Sequence, residues 1–141
     1  MCIRDRASRD VKQRVFEQNK ACLELKKRLE NRKEIKNIFH PENCPNFNSI
    51  LTSDGGYGCL LSFELKGGIK KAKKFYDSLQ ISKGPSLGTK FTLVCPYVLL
   101  AHYDELDCVE SFNIPSHLIS CLLYTSPSPR DRTRSRMPSS A

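Results

Sequence analysis

The fold of this chain is decided by the stretch Gly84-Pro-Ser-Leu-Gly-Thr-Lys-Phe-Thr-Leu-Val-Cys-Pro-Tyr-Val-Leu-Leu-Ala-His102. Gly84-Pro85 predicts a turn of the backbone, and a glycine at position 88 lets a ligand approach the main chain closely. Residues 91–94 are typical of a strand, which Cys95-Pro96 ends before a helical pattern begins. This order is compatible with an anion site at the turn and also with an ordinary strand–turn–helix unit, and the motif by itself does not separate the two.

Upstream of this stretch, the hydrophobic spacing predicts two helices and two strands. Asp10 and Gln13 have the spacing of a capping box, and an apolar stripe follows as far as Asn31, with the charged residues expected on the solvated faces. We predict a strand at 35–39 and an irregular segment at 41–52. Residues 59–65 alternate as in a half-buried strand, and a helix over 69–79 follows Gly67-Gly68.

Downstream, apolar residues at helical spacing predict a helix over 99–112. Asn113-Ile114-Pro115 ends it, and residues 116–119 have the composition of the start of a strand. Strands mixed with helices over about 110 residues are typical of a two-layer α/β or α+β domain.

The chain has 141 residues and a net charge of +8. Residues 1–6 contribute +1 and residues 121–141 contribute +3, so half of the excess lies at the two ends. Four lysines at positions 70, 71, 73 and 74 lie in one predicted helix. A lysine run is most often a solvated helix face, but a small basic nucleic-acid-binding module remains an alternative function. Single-strand binders interleave aromatic platforms with the basic residues, and none is interleaved here, which makes nucleic acid the less favoured partner.

Seven cysteines occur at positions 2, 22, 44, 59, 95, 108 and 121, and no two of them form a Cys-x-x-Cys pair. An odd number without paired spacing predicts free thiols in a reducing compartment, hence the cytoplasm, and no metal site. The sequence has no apolar run long enough to span a bilayer, so no membrane partner is expected.

The two ends differ in composition from the rest of the chain. Residues 1–6 and 120–141 resemble translated sequencing-adapter read-through, and the second segment is rich in Ser, Pro and Arg, as disordered tails are. We therefore predict one domain at 7–119, truncated at both ends, and set the ends aside.

Within 8–119, a succession of motifs resembles the family of pyridoxal-phosphate-dependent enzymes of Cys/Met metabolism. The motifs are Ser8-Arg-Asp10, Asn19, Ala21 and Leu25 in the first helix, Gly56-Tyr-Gly-Cys-Leu-Leu-Ser-Phe-Glu-Leu-Lys66, Ala72 and Phe75, Ser86-Leu-Gly88, Pro96, His102 and residues 114–119. The resemblance is greatest to the fungal branch that makes cystathionine. It implies the small C-terminal domain of a fold-type-I enzyme, with a long N-terminal helix and a mainly antiparallel sheet covered by helices.

The resemblance also implies which residues bind the substrate. Ser86, with Leu87 and Gly88 as backbone neighbours, corresponds to the family's contact with the substrate carboxylate, and His102 is a weaker candidate. The Schiff-base lysine of the family lies in an upstream cofactor domain, so we expect no catalytic residue in this chain, and the fragment alone is expected to be inactive. The family's carboxylate-binding arginine comes just after Leu118-Ile119, where this chain has Ser120.

For the whole enzyme, the resemblance implies pyridoxal phosphate as cofactor, an amino-acid substrate and a homo-oligomer, usually a tetramer. The expected reaction is γ-replacement on an activated homoserine ester by cysteine. Three departures leave reaction specificity open: Thr89 and Phe91 where many members have Gly and Glu, and Ala101 before the His. A γ-lyase or a homoserine sulfhydrylase of the same family remains the alternative.

Overall fold

The computed structural model of the chain describes residues 10–86, 89 and 91–124. Its helices are α1 (Val11–Glu30), α2 (Pro45–Ile50), α3 (Gly68–Ser78), α4 (Tyr97–Ala101) and α5 (Leu106–Ser111). Its strands are β1 (Ile35–Phe39), β2 (Leu60–Leu65), β3 (Ser82–Lys83), β4 (Leu93–Cys95) and β5 (Ile119–Leu122), and two 3-10 turns lie at Pro41–Asn43 and Tyr103–Glu105.

The five strands form one sheet in the order β1-β2-β5-β4-β3. The pairs β1–β2, β2–β5 and β5–β4 are antiparallel, and only β3–β4 is parallel. The expected α/β class with a mainly antiparallel sheet is therefore confirmed. Because β5 lies between β2 and β4, the last strand in sequence occupies the centre of the sheet.

The core lies on the face of the sheet that α1 and α3 cover. Leu61, Phe63 and Leu65 alternate along β2 and are all at most 4% exposed, as the alternation predicted. Phe75 of α3 packs edge-on against Phe63, with ring centroids 5.9 Å apart. Burial of one side chain of this size contributes about 1.5–3 kcal/mol to the free energy of unfolding, so the β2–α3 contact is a major source of stability.

The start of α1 differs from the prediction. Asp10 makes no side-chain capping hydrogen bond, so the capping box is wrong. The Asp10 carboxylate instead accepts a hydrogen bond of 2.7 Å from the Arg14 guanidinium, because a residue one turn along the helix is within reach of a long side chain.

Lys26 of α1 also differs from the prediction, since it is buried rather than solvated. Its ammonium lies 2.8 Å from the Glu30 carboxylate and 2.7 Å from the Glu42 carboxylate. A buried charge is tolerated when it is paired in this way, and the sequence pattern gave no sign of Glu42, which comes from outside the helix.

The predicted helix over 99–112 is interrupted. The structure has α4, a 3-10 turn and α5, because His102 and Glu105 adopt φ of −132° and −123°, outside the helical region. The segment predicted as irregular at 41–52 contains a 3-10 turn and α2, and the short β3 was not predicted.

The final strand lies further along the chain than predicted. It spans Ile119–Leu122 rather than 116–119, so the sheet includes three residues of the segment 120–141 that was predicted to be a disordered tail. The segment 1–6 and residues 125–141 lie outside the described residues. Within the part of the chain that the structure describes, no helix is long and apolar enough to cross a bilayer.

Candidate functional site

A cavity of about 210 Å³ lies on the face of the sheet opposite α1 and α3. The strands build its floor, because alternate residues along β2, β4 and β5 point to this face. The loop after β3 and the start of α4 build its walls. The lining residues are Leu60, Ser62, Gly84, Pro85, Ser86, Leu93, Cys95, Tyr97, Ser120 and Leu122.

Ser86 lies at the wall of this cavity, on the exposed loop that follows β3. The loop is fixed at its start by a hydrogen bond of 3.1 Å from the Gly84 amide to the Val94 carbonyl. Pairing of β3 with β4 therefore carries the loop to the cavity. Leu87 and Gly88, the other two predicted substrate-binding residues, lie outside the described residues.

His102 does not line the cavity but lies behind it. Its ring packs edge-on against Tyr97, with centroids 6.0 Å apart, and Tyr97 forms part of the wall. The His102 Nδ1 is 3.2 Å from the Glu105 carboxylate. His102 thus contacts Tyr97 and the turn after α4, and it does not line the cavity.

Position 120 faces the same cavity as Ser86. The Ser120 hydroxyl is 2.8 Å from the Ser62 hydroxyl, since the two residues are directly paired across β5 and β2. The resemblance places the family's carboxylate-binding arginine at this position, and an arginine there would start from a strand that forms the cavity floor. The geometry of the sheet thus brings positions 86 and 120 to one cavity, although they are 34 residues apart in sequence.

The cavity contains one thiol, that of Cys95, which is 5% exposed. Burial raises its pKa above the ordinary value, because a thiolate loses hydration in an apolar wall. The group therefore remains a neutral thiol at physiological pH and does not act as a nucleophile.

No lysine among the described residues fits covalent attachment of an aldehyde cofactor. Such a lysine must lose its proton to attack a carbonyl. Hydrogen bonds from Lys26 to Glu30 and Glu42 outweigh burial and raise its pKa, so this one buried lysine of the described part holds its proton. Lys36 pairs with Glu64, and the remaining lysines are exposed.

The loop from Asp54 to Gly58 does not form an anion cradle. The Tyr57 amide donates a 2.7 Å hydrogen bond to the Asn19 side-chain oxygen of α1, so this backbone donor is already satisfied. The loop leads into β2, as the sequence predicted. Among the described residues, no group of His, Cys, Asp or Glu has the arrangement of a metal site.

Of the ten lining residues, sequence reasoning predicted only Ser86 as a site residue, and the residues with hydroxyl groups that it missed are Ser62, Ser120 and Tyr97. The alternation of β2 did place Ser62 on the face away from the core, and this was the available signal. Ser120 was set aside with the C-terminal segment. Tyr97 could not be found, because its contact with the cavity depends on the direction in which α4 leaves the sheet.

The family model described as Cys/Met metabolism PLP-dependent enzyme matches residues 6–106 of the chain. A cystathionine gamma-synthase of Neurospora crassa is 41% identical over 118 residues, which cover 82% of this chain and 19% of that protein. A cystathionine gamma-synthase of Saccharomyces cerevisiae is 40% identical over 128 residues, which cover 84% of this chain and 20% of that protein. The chain thus spans about a fifth of the length of these curated relatives.

Solved structures show the same fold at lower identity. Cystathionine gamma synthase of Xanthomonas oryzae pv. oryzae, in complex with aminoacrylate and cysteine, has a TM-score of 0.73 at 19% identity, over 90% of this chain and 34% of that chain. Cystathionine gamma-lyase of Lactobacillus plantarum, complexed with L-serine, has a TM-score of 0.69 at 21% identity, over 92% of this chain and 34% of that chain.

Proposed function

Because the chain belongs to the family of Cys/Met metabolism PLP-dependent enzymes, we propose that it is the C-terminal small domain of a trans-sulfuration enzyme. The proposed reaction joins an activated homoserine ester to cysteine by γ-replacement and forms cystathionine. The observation that carries this proposal is the identity of about 40% to the cystathionine gamma-synthases of N. crassa and S. cerevisiae over most of the chain.

In this proposal, the cavity beside Ser86 receives the carboxylate end of the amino-acid substrate. The Ser86 hydroxyl donates a hydrogen bond to a carboxylate oxygen, and hydrogen bonds to ionised groups are the stronger ones. Tyr97, supported by His102, closes one side of the cavity and limits access of water to this contact. Pyridoxal phosphate, bound by the rest of the enzyme, supplies an electron sink for the carbanion chemistry.

At position 120 this chain has a serine, where the resemblance implies an arginine that binds the substrate carboxylate. A guanidinium binds a carboxylate through two charge-assisted hydrogen bonds, whereas a serine hydroxyl offers one neutral donor. Ser120 is moreover engaged with Ser62 at 2.8 Å. A chain with serine at position 120 therefore relies on Ser86 alone among the described residues of the cavity for its predicted carboxylate contact.

The alternatives within the family differ in their products. A γ-lyase would split cystathionine, and a homoserine sulfhydrylase would use sulfide in place of cysteine.

The alternative of a nucleic-acid-binding module rests on Lys70, Lys71, Lys73 and Lys74, which are all exposed, as on a solvated helix face. Binding of the chain to nucleic acid with a steep salt dependence would favour that alternative.

The test uses the full-length protein that contains this chain, purified with its cofactor. We expect cystathionine to form from an activated homoserine ester and cysteine. Ser86→Ala should raise KM for the ester about tenfold or more, since a hydrogen bond to a charged group contributes about 1.5–3 kcal/mol, without changing the absorbance of the bound cofactor. The matched control is Ser82→Ala, on the exposed strand β3 outside the cavity.

Two results would contradict the proposal. Formation of a keto acid from cystathionine, without γ-replacement, would assign the chain to the lyase branch. An unchanged KM in Ser86→Ala would remove Ser86 from the substrate site.

We also propose that the full-length enzyme is a cytoplasmic homo-tetramer. Support for a reducing compartment comes from the six cysteines of the described residues, all of which are free. Light scattering of the purified enzyme tests the oligomeric state, and a monomer would contradict this part of the proposal.

A further inference from the structure

A second cavity, of about 150 Å³, lies on the other face of the sheet from Ser86. It is enclosed between α3, α4 and β5. Its walls are apolar side chains: Ile69, Ala72 and Tyr76 from α3, Leu99 from α4 and Ile119 from β5. The proposed function does not use this cavity.

The volume of the cavity limits what it can hold. An engineered apolar cavity of about 150 Å³ in another protein stays dry and binds benzene. A cavity of the same size accepts one six-membered ring or a branched chain of about five carbons. Unlike the engineered cavity, this one also has Lys73 and His117 in its lining.

One lining residue of the cavity, Lys73, carries a positive charge. Lys73 is exposed and forms no ion pair with any described residue. Lys83 places its ammonium 4.9 Å from the centroid of the Tyr76 ring, which forms part of the wall. A ligand with a negative group beside Lys73 would meet a lysine that forms no ion pair with the described part of the chain.

A buried carboxylate lies beside another lining residue, His117. The His117 Nε2 lies 3.4 Å from the Glu64 carboxylate. Glu64 is 4% exposed and already accepts hydrogen bonds from Lys36 and Asn37. A second carboxylate beside it would be repelled, so the charges favour a ligand carboxylate beside Lys73 over one beside His117.

We propose that this cavity binds a small carboxylate with an apolar body of one ring or one branched chain. The body fills the space between Ala72 and Ile119, and the carboxylate lies beside Lys73. Lys73 contributes affinity through its charge, whereas the apolar walls select the size of the body.

The test titrates phenylacetate into the full-length protein that contains this chain, ¹³C-labelled at its isoleucine, leucine and alanine methyl groups, and follows the methyl chemical shifts, with toluene as the uncharged analogue. We expect saturable shifts at Ile69, Ala72 and Ile119 with both probes. Lys73→Gln should weaken phenylacetate about fivefold, the effect of one exposed charge pair, and leave toluene unchanged. Lys74→Gln is the matched control, since Lys74 is an exposed lysine of the same helix that does not line the cavity.

A variant that fills the cavity provides an independent test of the proposal. Ile69 is 49% exposed at the edge of the cavity, so Ile69→Trp can add bulk there without entering the core. We expect this variant to keep a dispersed spectrum and to lose both probes. Three results would each overturn the proposal. They are chemical shifts confined to residues beside Ser86, equal losses of phenylacetate affinity in Lys73→Gln and Lys74→Gln, and undiminished binding of the probes to Ile69→Trp.

Discussion

Glu64 is a buried carboxylate whose partners all come from other segments of the chain. Burial works to raise its pKa, but the hydrogen bonds from Lys36 and Asn37 and the charge of nearby His117 outweigh it and lower the pKa. A carboxyl whose pKa is lowered by folding stabilises the folded state above its ordinary pKa. This stability is lost as the pH falls through the folded value.

Glu64→Gln should therefore lower the free energy of unfolding at pH 7 by about 1.5–3 kcal/mol, the contribution of a hydrogen bond to a charged group. The free energy of unfolding of the unchanged chain should fall in acid, and that of the variant should fall less. Urea unfolding at several pH values measures both effects. Glu110→Gln, an exposed glutamate of α5, is the control, and equal losses in the two variants would contradict the assignment.

The buried His40 makes the free energy of unfolding depend on pH in a higher range than Glu64 does. Its side chain is fully buried, its Nδ1 accepts a hydrogen bond of 3.2 Å from the Glu42 amide, and its Nε2 has no partner among the described residues. Burial, and to a lesser extent the nearby Lys26, lower its pKa against the opposing charges of Glu42 and Glu30. The unfolded chain then binds the proton more readily, so stability falls as the pH drops below about 6.5.

We expect the chain to be less stable at pH 5.5 than at pH 7.5, and His40→Asn to reduce this difference. An asparagine oxygen can still accept from the Glu42 amide but does not titrate. Thermal unfolding at the two pH values is the measurement. An unchanged difference in His40→Asn would show that another group is responsible.

Helix α1 holds the loop that leads into β2 through one side chain. Asn19→Ala removes the 2.7 Å hydrogen bond to the Tyr57 amide, which is worth about 1 kcal/mol. We expect hydrogen exchange of the Tyr57 amide to accelerate about fivefold, with exchange in the centre of β2 unchanged. Gln18→Ala, at the neighbouring position of α1, is the control, and faster exchange throughout the sheet would mean that Asn19 acts on the whole domain.

Elements with a sustained period were predictable from sequence, and those without one were not. The strand at Ile35–Phe39 was predicted with the observed bounds, and α1 and β2 within one residue, because apolar spacing alone defines them. The period continues through Leu99, Tyr103, Leu106 and Val109, although the backbone leaves the helical region at His102 and Glu105. The spacing therefore predicted neither the break in the helix nor the position of Tyr103, which is 70% exposed.

The candidate site was only partly predictable, for a related reason. Ser86 was found from a local motif, whereas Ser62 and Ser120 join it through the pairing of β2 with β5. Such pairing brings together residues that are far apart in sequence. The alternation within a strand gives the face on which a residue lies, but the neighbouring strand is set by the fold of the whole molecule.

The rates at which the cysteine thiols are alkylated test whether the whole sheet is formed. Burial is the main cause that raises the pKa of Cys22 and of Cys121 to about 12, and neighbouring thiols add to the effect. Cys44 and Cys108 are exposed. At pH 8 we expect an alkylating reagent to modify Cys44 and Cys108 rapidly, and Cys22 and Cys121 only in denaturant. Mass spectrometry of the peptides measures each rate, and rapid modification of Cys121 in the native chain would contradict the placement of β5.

The central position of β5 has a consequence for synthesis on the ribosome. The nascent chain emerges with its N-terminus first, so β1, β2, β3 and β4 leave the exit tunnel before the strand that joins them. Until residues 119–122 emerge, β2 and β4 each expose one unpaired edge toward the space that β5 fills. Among the described strands, β5 therefore joins the sheet by late insertion, and the facing edges of β2 and β4 stay unpaired on the ribosome until it arrives.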